Sequence, residues 1–291
     1  MKKKTLTKAL AVMAVVVCNY SYGQTWTTLD YPFAHNPLNE LGTFAHSVSG
    51  NVVVGYKGDG GSFTYNISNN NYGNILSSYV YNTDGTNLVG GNGGPFVINI
   101  ASGNKTLLPD SEGFSKANAI QGSVVVGIGV DPSGGLYGAI YNLSNGSLQK
   151  IHAPNAVYTE FFDISGDNIL GYSSESGNFI YNAGQYTFLN LPNSSARAFG
   201  LDGSNVVGSF IDETSGGHTG FLYSLDTSAW ITFVAPNSIN TYVRGVDGNN
   251  IVGYYGSSTG YHGFIVNSVP EPSSLSLLAL GGVLVALRRR R

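Results

Sequence analysis

Cysteine is nearly absent from the chain: Cys18 is the only one among 291 residues. It lies in an N-terminal segment that we expect to be removed. Val17 before it is larger than the small residue that a lipoprotein cleavage site requires, so Cys18 is not expected to begin the mature protein. A mature chain without cysteine has no disulfide, no thiolate metal site and no cysteine nucleophile. Its stability must therefore come from packing and sheet pairing.

Basic residues are scarce once both ends are set aside. Of the fourteen Lys and Arg residues, four precede Gln24 and four close the chain, which leaves six. All seventeen acidic residues follow Gly23. This acidic balance disfavours nucleic acid and anionic membrane surfaces as partners.

Helix-forming residues are also few. Residues 24–268 are rich in Gly, Asn, Ser, Thr and Tyr and poor in Lys, Arg, Glu and Met. This composition is typical of strands and turns. We therefore expect an all-β domain over residues 24–268.

The N-terminal segment has the three parts of a secretory signal peptide. Lys2–Lys4 supply positive charge, an apolar run extends from Ala9 to Val17, and small residues lead up to Gly23. This order predicts a signal peptide over residues 1–23, cleaved between Gly23 and Gln24.

The C-terminal segment combines a short motif, an apolar run and a basic end. Pro270, Glu271 and Pro272 come first, and an apolar run extends from Leu275 to Leu287. The chain then ends in a basic cluster of Arg288, Arg289, Arg290 and Arg291. The apolar run is somewhat shorter than the ~20 residues that span a bilayer comfortably, and the arginines would stay cytoplasmic. We predict a short transmembrane helix within a separate segment, residues 269–291.

These ordered features resemble the PEP-CTERM sorting signal of Gram-negative-type bacteria. The resemblance implies an exosortase-type membrane protease as the processing partner, acting near Pro270, Glu271 and Pro272. It also implies an inner-membrane intermediate, followed by placement at the cell surface or in the extracellular matrix. A permanent anchor that is never cut is the alternative.

A short phrase, Gly-x-x-hydrophobic-hydrophobic-Gly, recurs six times in the middle domain. Its second glycines lie 35 to 45 residues apart and are Gly55, Gly90, Gly127, Gly171, Gly208 and Gly253. A period near forty predicts a repeat fold. The copies contain short strand-like runs, four in the fullest, which is the content of one propeller blade.

The sixth copy stops at Asn267 and lacks a fourth strand. The N-terminal run Thr25–Pro32 supplies one, because Trp26 to Pro32 resembles Trp230 to Pro236 of the fifth copy. The sequence thus predicts an all-β, six-bladed β-propeller of about forty-residue repeats closed by the N-terminal strand. A β-solenoid or an open array is the alternative, but neither predicts an orphan strand at the opposite terminus.

The copies also resemble the extracellular repeats called HAF repeats. The matching residues are Asn205–Gly208, Gly217–Tyr223 and Trp230–Phe233 in the fifth copy, and Gly260–Ile265 in the sixth. The first four copies lack the histidine of this motif. The resemblance implies a secreted repeat domain with no settled activity.

Residues with catalytic or metal-binding potential are scattered rather than clustered. The five histidines are His35, His46, His152, His218 and His262. His218 and His262 are expected to occupy equivalent repeat positions, which explains them without a metal. Asp84, Asp202 and Asp247 precede the first glycine of the phrase, which is typical of a tight turn, although propellers can bind Ca²⁺ at loop carboxylates. No catalytic residue, metal site or cofactor is predicted.

The function predicted is that of an exported, non-catalytic cell-surface or extracellular-matrix protein that binds a polysaccharide or a surface protein. Tyrosine is abundant, and sugar rings stack on aromatic faces. Most of these tyrosines, including Tyr79, Tyr81 and Tyr254, are expected on strands as packing or rim residues. The alternative function is a secreted propeller enzyme acting on glycans, whose site could be assembled from distant loops and escape a linear search.

Overall fold

The structure, a computed structural model, describes residues 25–32, 42–75, 79–91, 93–109 and 113–267. Within these ranges the chain forms twenty-four strands and no helix. The strands make six four-stranded antiparallel sheets, each with its strands in sequence order except the one that contains the N-terminal strand. The predicted all-β, six-bladed propeller is confirmed.

Blades 1 to 3 are formed by β2 to β13. Blade 1 contains β2 (Thr43–Ser49), β3 (Val52–Lys57), β4 (Ser62–Asn66) and β5 (Asn71–Ile75). Blade 2 contains β6 (Val80–Thr83), β7 (Asn87–Gly91), β8 (Pro95–Asn99) and β9 (Lys105–Leu107). Blade 3 contains β10 (Phe114–Gln121), β11 (Val124–Val130), β12 (Leu136–Asn142) and β13 (Leu148–Ile151).

Blades 4 to 6 are formed by β14 to β24 together with β1. Blade 4 contains β14 (Thr159–Ser165), β15 (Asn168–Ser173), β16 (Gly177–Asn182) and β17 (Gln185–Phe188). Blade 5 contains β18 (Arg197–Asp202), β19 (Asn205–Ile211), β20 (His218–Ser224) and β21 (Trp230–Phe233). Blade 6 contains β22 (Asn240–Asp247), β23 (Asn250–Ser257), β24 (Gly260–Asn267) and β1 (Thr25–Leu29).

The N-terminal strand closes the ring as the fourth strand of blade 6. β1 pairs with β24, and Trp26 lies opposite Val266 while Leu29 lies opposite Gly263. In blade 5, Trp230 of β21 lies opposite Tyr223 in the corresponding register. The predicted equivalence of the two tryptophan-containing strands is therefore confirmed at the level of single residues.

The two glycines of the repeated phrase have different structural tasks. Gly203 closes the turn between the first two strands of blade 5 with φ at +54°, a conformation that glycine adopts without strain. Gly208 lies on the second strand, where a Cβ atom would stand 2.0 Å from the carbonyl oxygen of Arg197. The second glycine makes the same close approach, 1.9 to 2.0 Å, in blades 1, 2, 3 and 6. The phrase thus repeats because the backbone of a blade requires it.

The first strand of every blade lies innermost, since these strands contact one another in succession around the ring. Links between blades run through the turns that follow these strands. Asp84 Oδ2 accepts a hydrogen bond from the Gly122 N–H at 3.2 Å. Equivalent links join Gln121 to Gly166, Ser165 to Gly203, Asp202 to Gly248 and Asp247 to Gly50. All six turns therefore lie at one end of the ring, and the inner strands begin at the other end.

The hydrophobic core lies between successive blades. Third-strand phenylalanines supply much of it, and each is almost completely buried: Phe63, Phe96, Phe179, Phe221 and Phe264. Burial of a phenylalanine side chain stabilises a fold by about 1.5–3 kcal/mol. A chain without a disulfide can be held together by this repeated packing.

Candidate functional site

Each inner strand carries a β-bulge opposite the second glycine of the phrase, and β10 has a further register shift at Ser115. The register skips one residue there, so that two inner-strand residues face one partner. The skipped residues, which we call the bulge ring, are His46, Tyr81, Asn118, Phe162, Phe199 and Arg244. Bulges re-aim side chains and are frequent next to functional sites. The propeller thus presents one re-aimed side chain per blade on its innermost strand.

Members of the bulge ring on neighbouring blades contact each other. The rings of Phe162 and Phe199 are 5.5 Å apart, and the Arg244 guanidinium lies 3.9 Å from the Phe199 ring centroid. His46 and Tyr81 rings are 6.0 Å apart. These contacts show that the re-aimed side chains converge around the channel axis.

A single sequence signal locates every member of the bulge ring, and sequence reasoning missed it. In each copy the bulge residue stands nine positions before the second glycine, as 46 stands before 55 and 244 before 253. The residue types differ from blade to blade, so they do not stand out in an alignment of the repeats. The constant spacing marks the bulge position in each copy, and the residue type at that position differs from blade to blade.

The channel end at which the inner strands begin, here called the mouth, is lined by aromatic rings. Tyr242 stacks on Tyr254 with centroids 4.8 Å apart, and Phe44 stacks on Tyr56 at 4.9 Å. Tyr79 meets Tyr56 edge to face at 5.5 Å. Further aromatic residues at this end are Tyr81, Tyr158, Tyr172, Phe199 and Tyr261. Most of these side chains are half-buried, so that part of each ring is packed and part remains open.

An acidic group and a lysine lie together in this mouth. Lys116 Nζ is 3.6 Å from Glu160 Oε1, which also accepts a hydrogen bond from Asn118 Nδ2 at 2.8 Å. The Tyr158 hydroxyl donates to the second Glu160 oxygen. Burial, together with this hydrogen bond, raises the pKa of Tyr158. Glu160 is therefore fully engaged by neighbouring side chains.

Two arginines on blades 5 and 6 lie over aromatic rings. The Arg197 guanidinium is 3.9 Å from the Tyr172 centroid and donates from Nη2 to the Tyr172 hydroxyl at 2.8 Å. Arg244 Cζ lies 3.9 Å from the Phe199 centroid, and its Nη2 donates to the Tyr254 hydroxyl at 2.8 Å. The ring contact and the hydroxyl hydrogen bond together hold each guanidinium in place while leaving other N–H groups available.

Burial dominates the titration of the groups at the mouth. It lowers the pKa of His46, and the positive charges of Arg244 and Lys116 lower it further, so His46 is neutral at pH 7. Burial raises the pKa of Tyr56 to about 12. The Tyr56 hydroxyl is therefore neutral at physiological pH.

A buried polar link lies on the inner strands further from the mouth. Asp163 Oδ1 accepts from Asn82 Nδ2 at 3.2 Å, and its Oδ2 accepts from the Leu201 N–H at 2.8 Å. Asn82 Oδ1 in turn accepts from the Ile120 N–H at 3.4 Å. Burial raises the pKa of Asp163 to about 7, although these hydrogen bonds favour the carboxylate. The four residues come from blades 2 to 5, so Asp163 and Asn82 together link four blades.

The histidines occupy unrelated environments. The prediction that His218 and His262 are equivalent is wrong by one residue. Gly220 and Gly263 are the matching positions, and His218 stands two residues before Gly220, whereas His262 stands one residue before Gly263. His218 lies at the mouth, 4.5 Å from the Tyr242 ring. His262 lies on the opposite face of its strand, and its Nδ1 is 2.8 Å from Asp30 Oδ1. The error arose because the fifth copy has one more residue between histidine and glycine.

The remaining histidines do not assemble a site with these two. His152 Nε2 contacts Asp131 Oδ2 at 3.0 Å beside a shallow groove between blades 3 and 4. His35 lies outside the described residues. Within the described ranges no three His, Cys, Asp or Glu side chains are grouped closely enough to hold a metal ion.

The aspartates before the turn glycines act in the links between blades. Asp84 Oδ1 accepts from Thr86 and Asn87 N–H groups in its own turn, while Oδ2 reaches the next blade. Asp202 and Asp247 reach the next blade in the same way. The turn interpretation thus accounts for these three carboxylates, with a role between blades that the sequence did not indicate.

The residues predicted for export and sorting lie outside the described ranges. They are Gly23, Gln24, Pro270, Glu271, Pro272, Arg288, Arg289, Arg290 and Arg291, together with the predicted C-terminal helix. In the part of the chain that is described, no helix is long and apolar enough to cross a membrane.

Comparison with known proteins bears on the tail and on the fold separately. The model of the PEP-CTERM protein-sorting motif matches residues 268–291, which confirms the predicted motif. This motif implies export through a C-terminal sorting signal, to the envelope or surface of a Gram-negative bacterium. No curated protein matches the chain.

Several solved structures resemble the chain at low identity. The β-propeller domain of the Trilobed protease from Pyrococcus furiosus is 10% identical with a TM-score of 0.47, over 78% of this chain and 94% of that one. TolB from Acinetobacter baumannii is 11% identical with a TM-score of 0.48, over 78% of this chain and 63% of that one. The computationally designed Ika8 protein is 16% identical with a TM-score of 0.44, over 77% and 71% of the two chains. Such distant likeness carries no functional argument, and the fold assignment rests on the six sheets themselves.

Proposed function

We propose that this protein is an exported, non-catalytic component of the cell surface or extracellular matrix that holds a polysaccharide at the channel mouth. The observation that carries the proposal is the set of half-buried aromatic rings converging there. Sugar rings present C–H faces that pack on aromatic rings, and their hydroxyl groups pair with tyrosine hydroxyls. A mouth of this composition suits a chain of sugar units better than a compact apolar ligand.

The route to this location follows from the two ends of the chain. A signal peptide cleaved after Gly23 would begin export, and an exosortase-type protease would process the tail near Pro270, Glu271 and Pro272. The resemblance of the repeats to HAF-type extracellular repeats agrees with such a destination. The acidic repeat domain also suits a location away from nucleic acid.

The contacts of Glu160, the carboxylate in the mouth, support the proposal that the protein binds a polysaccharide without cleaving it. Hydrolysis of a glycoside ordinarily needs two carboxyl groups, one of which protonates the leaving oxygen. Glu160 has both oxygens engaged, by Lys116, Asn118 and the Tyr158 hydroxyl. A glycan-degrading propeller enzyme would need this group to be released.

A glycan-array screen of the mature domain, followed by calorimetric titration of the best polysaccharide, tests the proposal. We expect Tyr81→Ala and Tyr242→Ala each to weaken binding by about tenfold, because each removes a ring at the mouth. Phe188→Ala is the matched control, since Phe188 is an exposed aromatic on the outer strand of blade 4. Equal affinities for all three variants would contradict a site at the mouth.

The same ligand decides between binding and catalysis. We expect no new reducing ends after prolonged incubation of the polysaccharide with the domain. Depolymerisation that is lost in Glu160→Gln would instead establish the alternative, a secreted enzyme acting on glycans.

A further inference from the structure

Positive charge is concentrated at the mouth. The repeat domain has only six basic residues, namely Lys57, Lys105, Lys116, Lys150, Arg197 and Arg244. Three of them, Lys116, Arg197 and Arg244, lie on inner strands and contact the aromatic side chains of the mouth. In an acidic domain this distribution places a local positive field where the rest of the surface is negative.

The arginines lack acidic partners, unlike the lysine. Lys116 is paired with Glu160, whose oxygens are already engaged. Among the described residues no carboxylate lies within ion-pair distance of Arg197 or Arg244; the neutral oxygens that they contact belong to Ala196, Tyr172 and Tyr254. Two guanidinium groups are thus held in a half-buried site by neutral neighbours.

Aromatic stacking prepares both guanidiniums for an anion. A planar guanidinium carries five N–H donors in a fork that matches the two oxygens of a carboxylate or a sulfate. Arg197 is held by the Tyr172 ring and hydroxyl, and Arg244 by the Phe199 ring and the Tyr254 hydroxyl, so each guanidinium is positioned before any ligand arrives. Such preorganisation favours affinity because less side-chain freedom is lost on binding.

Two polar atoms of the bulge ring lack partners. Arg244 Nε and His46 Nε2 are shielded from solvent and have no hydrogen-bond partner among the described residues. They belong to consecutive members of the bulge ring, on blades 6 and 1. Buried polar groups in native proteins normally have a partner. The Arg244 Nε–H can only donate, so this unpaired group on an unneutralised guanidinium indicates a missing acceptor.

We infer that the polysaccharide held at the mouth is an acidic one, whose carboxylate or sulfate groups bind Arg197 and Arg244 while its sugar rings pack on the tyrosines. This inference rests on the proposed function and specifies its ligand class. The overall negative charge of the domain would repel an acidic polymer elsewhere and confine it to the mouth. Carboxylated and sulfated sugars share the required chemistry, and the test separates them.

The test is calorimetric titration of the mature domain with four polymers: polygalacturonate, dextran sulfate, uncharged dextran and single-stranded DNA. We expect at least one of the two acidic polysaccharides to bind and to do so at least tenfold more tightly than uncharged dextran. Binding of polygalacturonate alone identifies a carboxylate site, and binding of dextran sulfate alone a sulfate site. Single-stranded DNA binding more tightly than both would overturn the inference.

Charge variants then locate the site. Arg197→Gln combined with Arg244→Gln should weaken binding of the acidic polymer more than tenfold, whereas Arg197→Lys should retain part of the affinity by keeping the charge without the fork. Lys105→Gln combined with Lys150→Gln removes the same number of charges from the outer strands of blades 2 and 3 and should leave binding unchanged. Melting temperatures of all variants establish that each is folded.

The two proposals fail differently in these measurements. Equal affinity for uncharged dextran and for the acidic polymers, lost in Tyr81→Ala, would overturn the acidic specificity and leave the polysaccharide site standing. An arginine double variant that binds the acidic polymer as tightly as the wild type would also overturn it. Absence of binding to every polysaccharide, in this titration and on the array, would overturn both.

Discussion

At the scale of single residues, Asp163 combines a structural role with an unfavourable environment. Its carboxyl group accepts hydrogen bonds from Asn82 Nδ2 and the Leu201 N–H at the centre of the ring. Burial raises the pKa of this carboxyl group to about 7. A buried group whose folded pKa is raised binds its proton more tightly in the native state than in the unfolded chain. Its contribution to stability is therefore complete below the unfolded pKa of about 3.9 and is lost as the pH rises through about 7.

Replacement of Asp163 with asparagine should remove this pH dependence. Relative to Asp163→Asn, the wild type should lose on the order of 3 kcal/mol of its free energy of unfolding between pH 4 and pH 8. His46 acts in the opposite direction, because its lowered pKa makes its contribution present above about pH 6.5 and lost on acidification. It is unchanged in the variant, so the difference between the two proteins isolates Asp163. Urea unfolding across this pH range provides the measurement, and parallel profiles would show that Asp163 is not the responsible group.

The glycines of the repeated phrase should tolerate substitution unequally. In Gly208→Ala the new Cβ atom would meet the Arg197 carbonyl oxygen, so the backbone at the bulge must move, and we expect a loss of about 2–4 kcal/mol in the free energy of unfolding. In Gly203→Ala the Cβ atom meets nothing within 4 Å and only the positive φ is penalised, at about 1 kcal/mol. Chemical denaturation of the two variants gives both values. Equal losses would mean that the close approach is not what requires the second glycine.

At the scale of the strand, closure of the ring depends on β1. β1 pairs with β24, and a hydrogen bond follows it: the Tyr31 N–H donates to Thr43 Oγ1 at 2.8 Å. The equivalent bond after the fourth strand of blade 5 runs from the Ala235 N–H to Thr241 Oγ1 at 2.9 Å. Leu29 is buried, and the Trp26 ring is 5.0 Å from that of Phe264. The N-terminal strand thus reproduces the strand pairing, and the adjoining residues reproduce the threonine hydrogen bond, of the fourth strand in blade 5.

Deletion of residues 25–32 should therefore open blade 6. We expect the free energy of unfolding to fall by about 3–5 kcal/mol, because the strand pairing and the packing of Trp26 and Leu29 are lost together. Differential scanning calorimetry of the truncated and complete domains measures the effect. A truncated domain that melts at the same temperature would contradict closure by this strand.

Most strands could be predicted from the sequence because they follow a repeat, and one fourth strand could not. β5 (Asn71–Ile75) is polar and contains a glycine, so it has no apolar alternation to mark it. Pairing with β4 within a propeller blade, rather than intrinsic preference, makes this segment a strand. β9, β13 and β17, the fourth strands of blades 2 to 4, end two to four residues before Pro109, Pro154 and Pro192.

At the scale of the whole molecule, the site was hidden for a physical reason. The repeat marks what the blades share, whereas the bulge ring contains a different residue in each blade, such as His46, Asn118 and Arg244. Distances between these side chains depend on ring closure, which joins residues far apart in the chain. Tyrosine abundance suggested sugar binding, but not where it would occur.

The tail should deliver the protein without taking part in its fold. Replacement of Pro270, Glu271 and Pro272 with alanine should leave the melting temperature of the domain unchanged and retain the chain, uncut, in the membrane fraction. Wild-type protein should lose its tail and appear at the cell surface or in the matrix. Mass spectrometry of the mature protein checks this prediction, and an intact C-terminus ending in Arg291 would indicate a permanent anchor instead.

The measurement that tests the account most directly is a crystal structure of the mature domain with an oligosaccharide taken from the tightest-binding polysaccharide. The account predicts sugar rings packed against Tyr81 and Tyr242 at the mouth, with an acidic group within hydrogen-bond distance of Arg197 or Arg244. A ligand bound instead along the outer strands, or in the groove beside His152, would contradict it.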